Sequence, residues 1–170
     1  YFFTGNHDLW MFDYLKTEFG AQIFTKPIHT KINEFTFLIG HGDGLGPGDG
    51  MYKLLKKIFV NPFAQWFFKW IHPDIGVGLA RKWSKSSQLS KEGSDEEFMG
   101  EKEFLINYCR QQEALTHHDY YIFGHRHLPL KIEISHNTMY YNLGEWFTGQ
   151  TYGVFDGKTF LLEKFVNGVE

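Results

Sequence analysis

Cysteine occurs once, at Cys109, so no internal disulfide can form. That usage suits a reducing cytoplasm. Cys109 lies in an apolar helical pattern and reads as a small core residue. Long apolar runs are missing too. None reaches the roughly 18–20 residues that cross a bilayer. The longest stretch, Ile58 to Ile71, is broken by Asn61-Pro62 and by Lys69. The opening Tyr1-Phe2-Phe3-Thr4-Gly5 has neither a charged leader nor an initiator Met. It gives no sign of a signal peptide and reads as the end of a strand. There is no internal repeat and no low-complexity tract. A net charge of −3 by itself says nothing about partners, and no nucleic-acid partner is expected.

Aromatic residues are plentiful, at 19% of the chain within an apolar share of 42%. That content excludes disorder for most of the 170 residues, which suffice for one domain with a core. Charge is unevenly spread. Residues 51–85 carry Lys53, Lys56, Lys57, Lys69, Arg81, Lys82 and Lys85 against Asp74 alone. A basic segment on an otherwise acidic chain suits an anionic ligand or an anionic membrane surface.

The patterning predicts a mixed α/β protein, with strands and helices alternating early and antiparallel hairpins late. A helix is expected over Leu9–Phe19, closed by Gly20. Ile28–Asn33 and Phe35–Ile39 read as a hairpin. Residues 51–87 read as two or three short helices broken at Asn61-Pro62 and His72-Pro73. Residues 84–97 read as a polar linker. Ser94-Asp95-Glu96-Glu97 suggests a capping box for a helix over about 95–116. Asp119–Phe123 reads as a strand, and turns are expected at His136-Asn137, Gly144-Glu145 and Asp156-Gly157.

Three loops share one pattern. Gly5-Asn6-His7-Asp8, Gly40-His41-Gly42-Asp43 and Gly124-His125-Arg126-His127 each follow a predicted strand and place metal-binding side chains beside glycine. Ligands in open α/β sheets bind beyond the carboxyl ends of strands. Glycine lets backbone come close to an ion or phosphate, and imidazole and amide oxygen suit Mn, Fe or Zn. A single such histidine is usually a solvent-facing or capping residue. His29, His72, His117, His118 and His136 lack the pattern and read as ordinary surface or turn residues. The glycine-rich residues 40–50 end without Lys-Ser or Lys-Thr, which argues against a P-loop.

Taken in order, the three loops resemble the later motifs of the calcineurin-like metallophosphoesterases. The resemblance implies a sandwich of mixed sheets flanked by helices and two divalent metal ions, Mn²⁺ foremost. It implies that Asn6, His41 and His125 bind one metal and His127 the other. His7 would be the catalytic histidine, oriented by Asp8 through its ring N–H. The family also has Asp-x-His and Gly-Asp-x-x-Asp motifs ahead of Gly-Asn-His-Asp. This chain opens at that loop, so it is expected to be the carboxy-terminal part of one such domain (residues 1–170, lid insert 51–97). Its amino-terminal strands would be missing, its second metal site incomplete, and the chain alone inactive.

A closer resemblance is to the UDP-2,3-diacylglucosamine hydrolases of lipid A synthesis, which cleave a nucleotide–lipid pyrophosphate at the inner membrane. It rests on His41-Gly42-Asp43-Gly44-Leu45, on Asp49 with Tyr52, and on the helical insert ending Ser84-Lys85-Ser86-Ser87. Asn142-Leu143-Gly144-Glu145-Trp146 adds to it. The resemblance implies Asp49 and Tyr52 as substrate-binding candidates; Arg81 and Lys82, on the insert's last helix, are candidates for the pyrophosphate. Arg81 and Lys82 can equally be solvated charges. Those hydrolases commonly carry Arg where this chain has His7. The products would be 2,3-diacylglucosamine 1-phosphate and UMP, released by a peripheral enzyme on the cytoplasmic face of the inner membrane. A soluble phosphodiesterase or phosphatase of the superfamily and an inactive lipid-binding module stand as alternatives.

The insert has its own physical reading. Leu55, Ile58, Phe59, Phe63, Trp66, Phe67, Trp70 and Ile71 fall mainly at spacings of three and four, with the lysines largely elsewhere. Such a hairpin can lie in a membrane interface, form a cap lined for acyl chains, or simply pack as a lid.

Overall fold

A computed structural model describes residues 1–47, 50–89 (backbone alone from 83) and 97–166. The chain divides into two compact units, Tyr1–Gly48 with Phe98–Glu170, and Asp49–Glu97.

The first unit is a mixed α/β fold. It contains β1 (Phe2–Phe3), α1 (Tyr14–Phe19), β2 (Ile23–Phe24), β3 (Ile28–Ile32) and β4 (Phe35–Ile39). After the second unit come α5 (Phe104–Glu113), β5 (Tyr120–Phe123), β6 (Pro129–Ser135), β7 (Thr138–Leu143), β8 (Thr151–Phe155) and β9 (Phe160–Lys164). The main sheet runs β3-β4-β5-β7-β6. Its centre, β4, β5 and β7, is parallel, and each edge strand closes an antiparallel hairpin. The hairpin turns use Asn33 and Asn137 at φ 55° and 63°, which short polar side chains tolerate. Separately, β1 pairs parallel with β2, and β8 pairs antiparallel with β9.

Strand periodicity sorts the core onto two faces of the sheet. Leu38, Tyr121, Phe123 and Tyr140 face one way and pack on Leu105, Ile106 and Cys109 of α5. Phe37, Tyr120, Ile122 and Tyr141 face the other way and pack on Phe160, with Phe155 and Leu162 beside them. The three layers are therefore helix, mixed sheet and β8–β9 hairpin. The second face mixes phenylalanine and tyrosine rings with Ile39, Ile122 and Leu143; Phe37 stacks on Tyr120 at 4.9 Å, and Tyr141 lies tilted against Phe160 at 4.7 Å. Offset and edge-on ring pairs add roughly 0.5–1.5 kcal/mol each beyond area burial.

Several elements differ from the sequence expectation. The first helix begins at Tyr14, not Leu9, because Leu9 to Phe12 are apolar at every position and offer no helical stripe. Gly20 does close it, at φ 63°, with amide bonds back to Leu15 and Lys16. The helix expected from about 95 begins at Phe104. A left-handed Gly100 at φ 59° separates it from what precedes, and a single 3₁₀ turn, Gly100–Lys102, fills the gap. Residues 94–96 of the expected capping box lie outside the described residues.

His118 was expected at the surface and is buried, at 3% exposure. Its Nδ1 lies 2.9 Å from the Thr116 carbonyl, so Nδ1 carries the proton and Nε2 accepts from His29 Nδ1 at 2.8 Å. Nearby, His117 bonds Glu113, and Asp119 accepts from the Thr36 amide and hydroxyl, both at 2.7 Å. These groups gather at the amino ends of the parallel strands.

The second unit consists of α2 (Gly50–Phe59), α3 (Pro62–Lys69) and α4 (Pro73–Leu89). Asn61 caps α3 by accepting from the Phe63 and Ala64 amides at 2.9 and 3.2 Å, ahead of Pro62 at the first turn. Gln65 Nε2 donates to the Phe59 carbonyl at 2.9 Å and ties α3 to the end of α2. Residues 84–89, expected as linker, continue α4, since Lys and Gln are good helix formers. Neither α2 nor α3 buries a residue fully. Trp66, Phe67 and Trp70 are 60%, 66% and 75% exposed, so they do not form the packed lid interior that was one expectation. Among the described residues no helix is long and apolar enough to cross a membrane.

Candidate metal centre

Each of the three loops leaves the carboxyl end of a strand. After β1, Gly5 to Asp8 folds back on itself: the Asp8 amide donates to the Gly5 carbonyl at 3.3 Å, and the Asp8 carboxylate accepts from the Gly5 amide. Asn6 is half-buried and His7 exposed. Among the described residues no hydrogen bond joins the His7 ring to Asp8, whose Oδ1 serves the loop backbone instead.

The second loop meets the first through His41. A Cβ on Gly5 would overlap the His41 imidazole, its nearest atom being Nε2. Only glycine allows that approach. The other ring nitrogen, His41 Nδ1, lies 2.9 Å from Oδ1 of Asp43, a carboxylate only 4% exposed. An ionised carboxylate is acceptor-only, so the proton is assigned to Nδ1. The Nε2 lone pair therefore faces the Gly5-Asn6 loop. A carboxylate behind a histidine is the usual second support of a metal-binding imidazole. Asp43 had no place in the ligand set read from the sequence, although its His-x-Asp spacing was visible.

The third loop is bound to the second by its backbone. The Gly124 amide donates to the His41 carbonyl at 3.0 Å. Gly42, at φ 114°, leaves room for the His125 Cβ and for Leu105. The His41 and His125 ring centroids are then 5.2 Å apart, inclined at 61°. Phe104 lies edge-on to His125 at 5.9 Å. Beyond it, Arg126 turns inward to Glu103 at 3.1 Å, and His127 is exposed.

Gly5, His41 and His125 thus form one continuous cluster, with Asn6 next in the first loop and His127 two residues on in the third. Donor chemistry and spacing fit a transition-metal ion. Imidazole nitrogen binds such ions at about 2.0–2.1 Å, so two rings sharing one ion stand about 5 Å apart between centres. No group of three His, Cys, Asp or Glu side chains among the described residues is placed to hold an ion unaided. The set needs Asn6.

The remaining candidates belong to the helical unit. Tyr52 is half-buried on α2, and Arg81 and Lys82 are exposed on α4. Asp49 lies outside the described residues. Sequence reading gave no role to Glu103 and quoted Asn142 only within a motif; both are fully buried. The Asn142 side-chain amide donates to the carbonyls of Arg126 and Leu128, the latter at 2.8 Å.

A mixed sheet, flanked by helix and bearing histidine-glycine loops at its strand ends, is compatible with a metallophosphoesterase fold. No protein-family model matches the chain. Four curated relatives do, among them the following two. The UDP-2,3-diacylglucosamine hydrolase of Porphyromonas gingivalis is 34% identical over 176 residues, covering 96% of this chain and 67% of that protein. The UDP-2,3-diacylglucosamine hydrolase of Proteus mirabilis is 28% identical over 168 residues, covering 96% and 68%. The chain belongs to the UDP-2,3-diacylglucosamine hydrolase family, and is an enzyme of hydrolase type.

Proposed function

We propose that this enzyme hydrolyses the pyrophosphate of UDP-2,3-diacylglucosamine, giving 2,3-diacylglucosamine 1-phosphate and UMP at the cytoplasmic face of the inner membrane. The observation that carries the reading is the His41–His125 pair, with Asp43 holding the His41 tautomer that leaves Nε2, on the Gly5 side of the ring, unprotonated. The family relatives support the substrate.

In this reading Asn6, His41 and His125 hold one divalent ion and His127 reaches the second, with Mn²⁺ as the expected metal. When bound, such ions supply Lewis acidity at the phosphoryl oxygens and activate the attacking water. The chain's own groups do the rest. His7, exposed beside Asn6, offers a proton or a positive charge to oxygens that gain charge in the transition state. The leaving sugar phosphate needs little protonation, so His7 serves where relatives commonly use Arg. Asp8 keeps the loop closed. Arg81 and Lys82 on α4, with Tyr52 on α2 and Asp49 ahead of it in sequence, are the candidate substrate-binding residues of this reading. The exposed aromatics of α3 and the lysines of α2 hold the acyl chains or an anionic lipid surface. That exposed face favours a lipid substrate over a soluble phosphodiester.

The test is UMP release from UDP-2,3-diacylglucosamine by the intact enzyme with Mn²⁺, and its loss in His41→Ala. Turnover that persists in His41→Ala, or that needs no divalent metal, overturns the assignment. Turnover confined to soluble phosphodiesters moves the enzyme to the alternative substrate class.

A further inference from the structure

The start of α5 borders the loops that carry His41 and His125. Glu103 pairs with Arg126, Phe104 meets the His125 ring, and Leu105 lies against Gly42. The Glu103–Arg126 pair is the unusual member. Its side chains are 1% and 3% exposed, with Arg126 Nη2 at 3.1 Å from Glu103 Oε1. The same oxygen accepts from the Met99 amide at 3.1 Å. A pair taken so completely out of water contributes little to stability, and well-packed apolar residues commonly replace one without loss. Its position gives it a use.

Arg126 stands between His125 and His127. Its side chain is drawn inward, away from the exposed His127. The backbone on either side is gripped as well, because one Asn142 amide group donates to the carbonyls of both Arg126 and Leu128. His127 therefore sits on a segment whose two flanking carbonyls share one donor residue, and whose neighbouring side chain is anchored to a different element.

We propose that Glu103, Arg126 and Asn142 are positioning residues for the metal loop. They hold the backbone of residues 125–127 so that both imidazoles point to the same side. The inference rests on the metal reading of the site. None of the three touches substrate or ion in it.

The test uses the intact enzyme, Mn²⁺ alone as the probe, and two variants. Glu103→Leu/Arg126→Met removes both charges while keeping volume. Arg126→Lys keeps the charge and loses the planar fork. Mn²⁺ affinity is read from the free-ion paramagnetic resonance signal, and ring order from ¹⁵N–¹H spectra of the histidines without metal. The double variant is expected to melt cooperatively and bind Mn²⁺ about 10–100-fold more weakly. Its His125 and His127 ring signals should shift and broaden while those of His117 and His118, ahead of the amino end of β5, stay in place. Arg126→Lys should fall between it and the parent. Parent-like affinity and ring signals in either folded variant overturn the inference. If His41→Ala leaves Mn²⁺ binding intact, the metal reading is what fails, and the metal-free ring signals still decide whether the loop is held by Arg126.

Discussion

Asp43 Oδ1 stands 2.9 Å from His41 Nδ1, two residues back along the same loop. The bond decides which nitrogen of His41 is available and turns it toward Gly5 and Asn6. Asp43→Ala should therefore weaken Mn²⁺ binding by about 10–100-fold without touching a ligand. Calorimetric titration checks it. Asp43→Asn should do less harm, since its amide oxygen still accepts from Nδ1.

Gly5 has a second, steric requirement. Gly5→Ala puts a methyl into the His41 ring, and one of them must move. Overpacking of this kind costs about 1–3 kcal/mol. The expected result is a lower melting temperature together with at least tenfold weaker Mn²⁺ binding. A variant that loses stability alone would show that the ring can shift without harm to the site.

The aromatic face of α3 should act on lipid. Trp66→Ser, Phe67→Ser and Trp70→Ser combined remove three side chains that are each more than half exposed. Full burial of such a group is favourable by about 1.5–3 kcal/mol. Partition onto vesicles containing anionic lipid should fall on the order of 100-fold, and KM for the diacyl substrate should rise. The melting temperature should hardly change, because these rings cover little of the unit's interior. Vesicle sedimentation and circular dichroism separate the two.

At the far end of the sheet, two neighbouring histidines pull stability in opposite directions with pH. The Glu113 carboxylate, and Coulomb attraction to Asp119 as well, raise the His117 pKa. Its contribution is full below the unfolded value near 6.5 and is lost as pH rises through the higher folded value. Burial lowers the His118 pKa. Its contribution is present above about 6.5 and is lost as pH falls toward the lower folded value. His117→Gln removes the first effect and leaves the second. Acidification from about pH 7 to about pH 5.5 should then lower the melting temperature more than in the parent. The extra drop should be no more than about 2 °C, because the His117 ring is mostly in solvent and screened. Differential scanning calorimetry across that range reads it.

Local signals made much of this molecule legible. Glycine with a histidine one or two residues on, after β-rich runs, marked the three loops, and Asn61-Pro62 and His72-Pro73 marked the helix breaks. Each is a feature whose cause lies within a few residues. The failures share the opposite property. His118 is buried because His29 meets it, 89 positions away, and no local pattern announces that. Glu103 fell within an expected helix, and Asn142 stood out only as part of a motif. Their partners, Arg126 and the carbonyls around His127, come from other strands and loops. The late start of α5 follows from one left-handed glycine, Gly100, inside a stretch whose composition is helical. Exposure of the α3 aromatics was a different case, since spacing alone describes an amphipathic stripe and says nothing of what covers it.

The ring-lined face of the sheet has a practical consequence for optical work. Phenylalanine and tyrosine supply its rings, and none of the four tryptophans with a described side chain (Trp10, Trp66, Trp70 and Trp146) enters either core cluster. Indole emission from the native protein should already lie toward long wavelength and change little when the sheet melts. Near-ultraviolet dichroism of the tyrosines should carry that transition instead. The indoles are freed for another purpose: Trp66 and Trp70 stand where contact with acyl chains would shift their emission to the blue, reporting lipid contact with no added label.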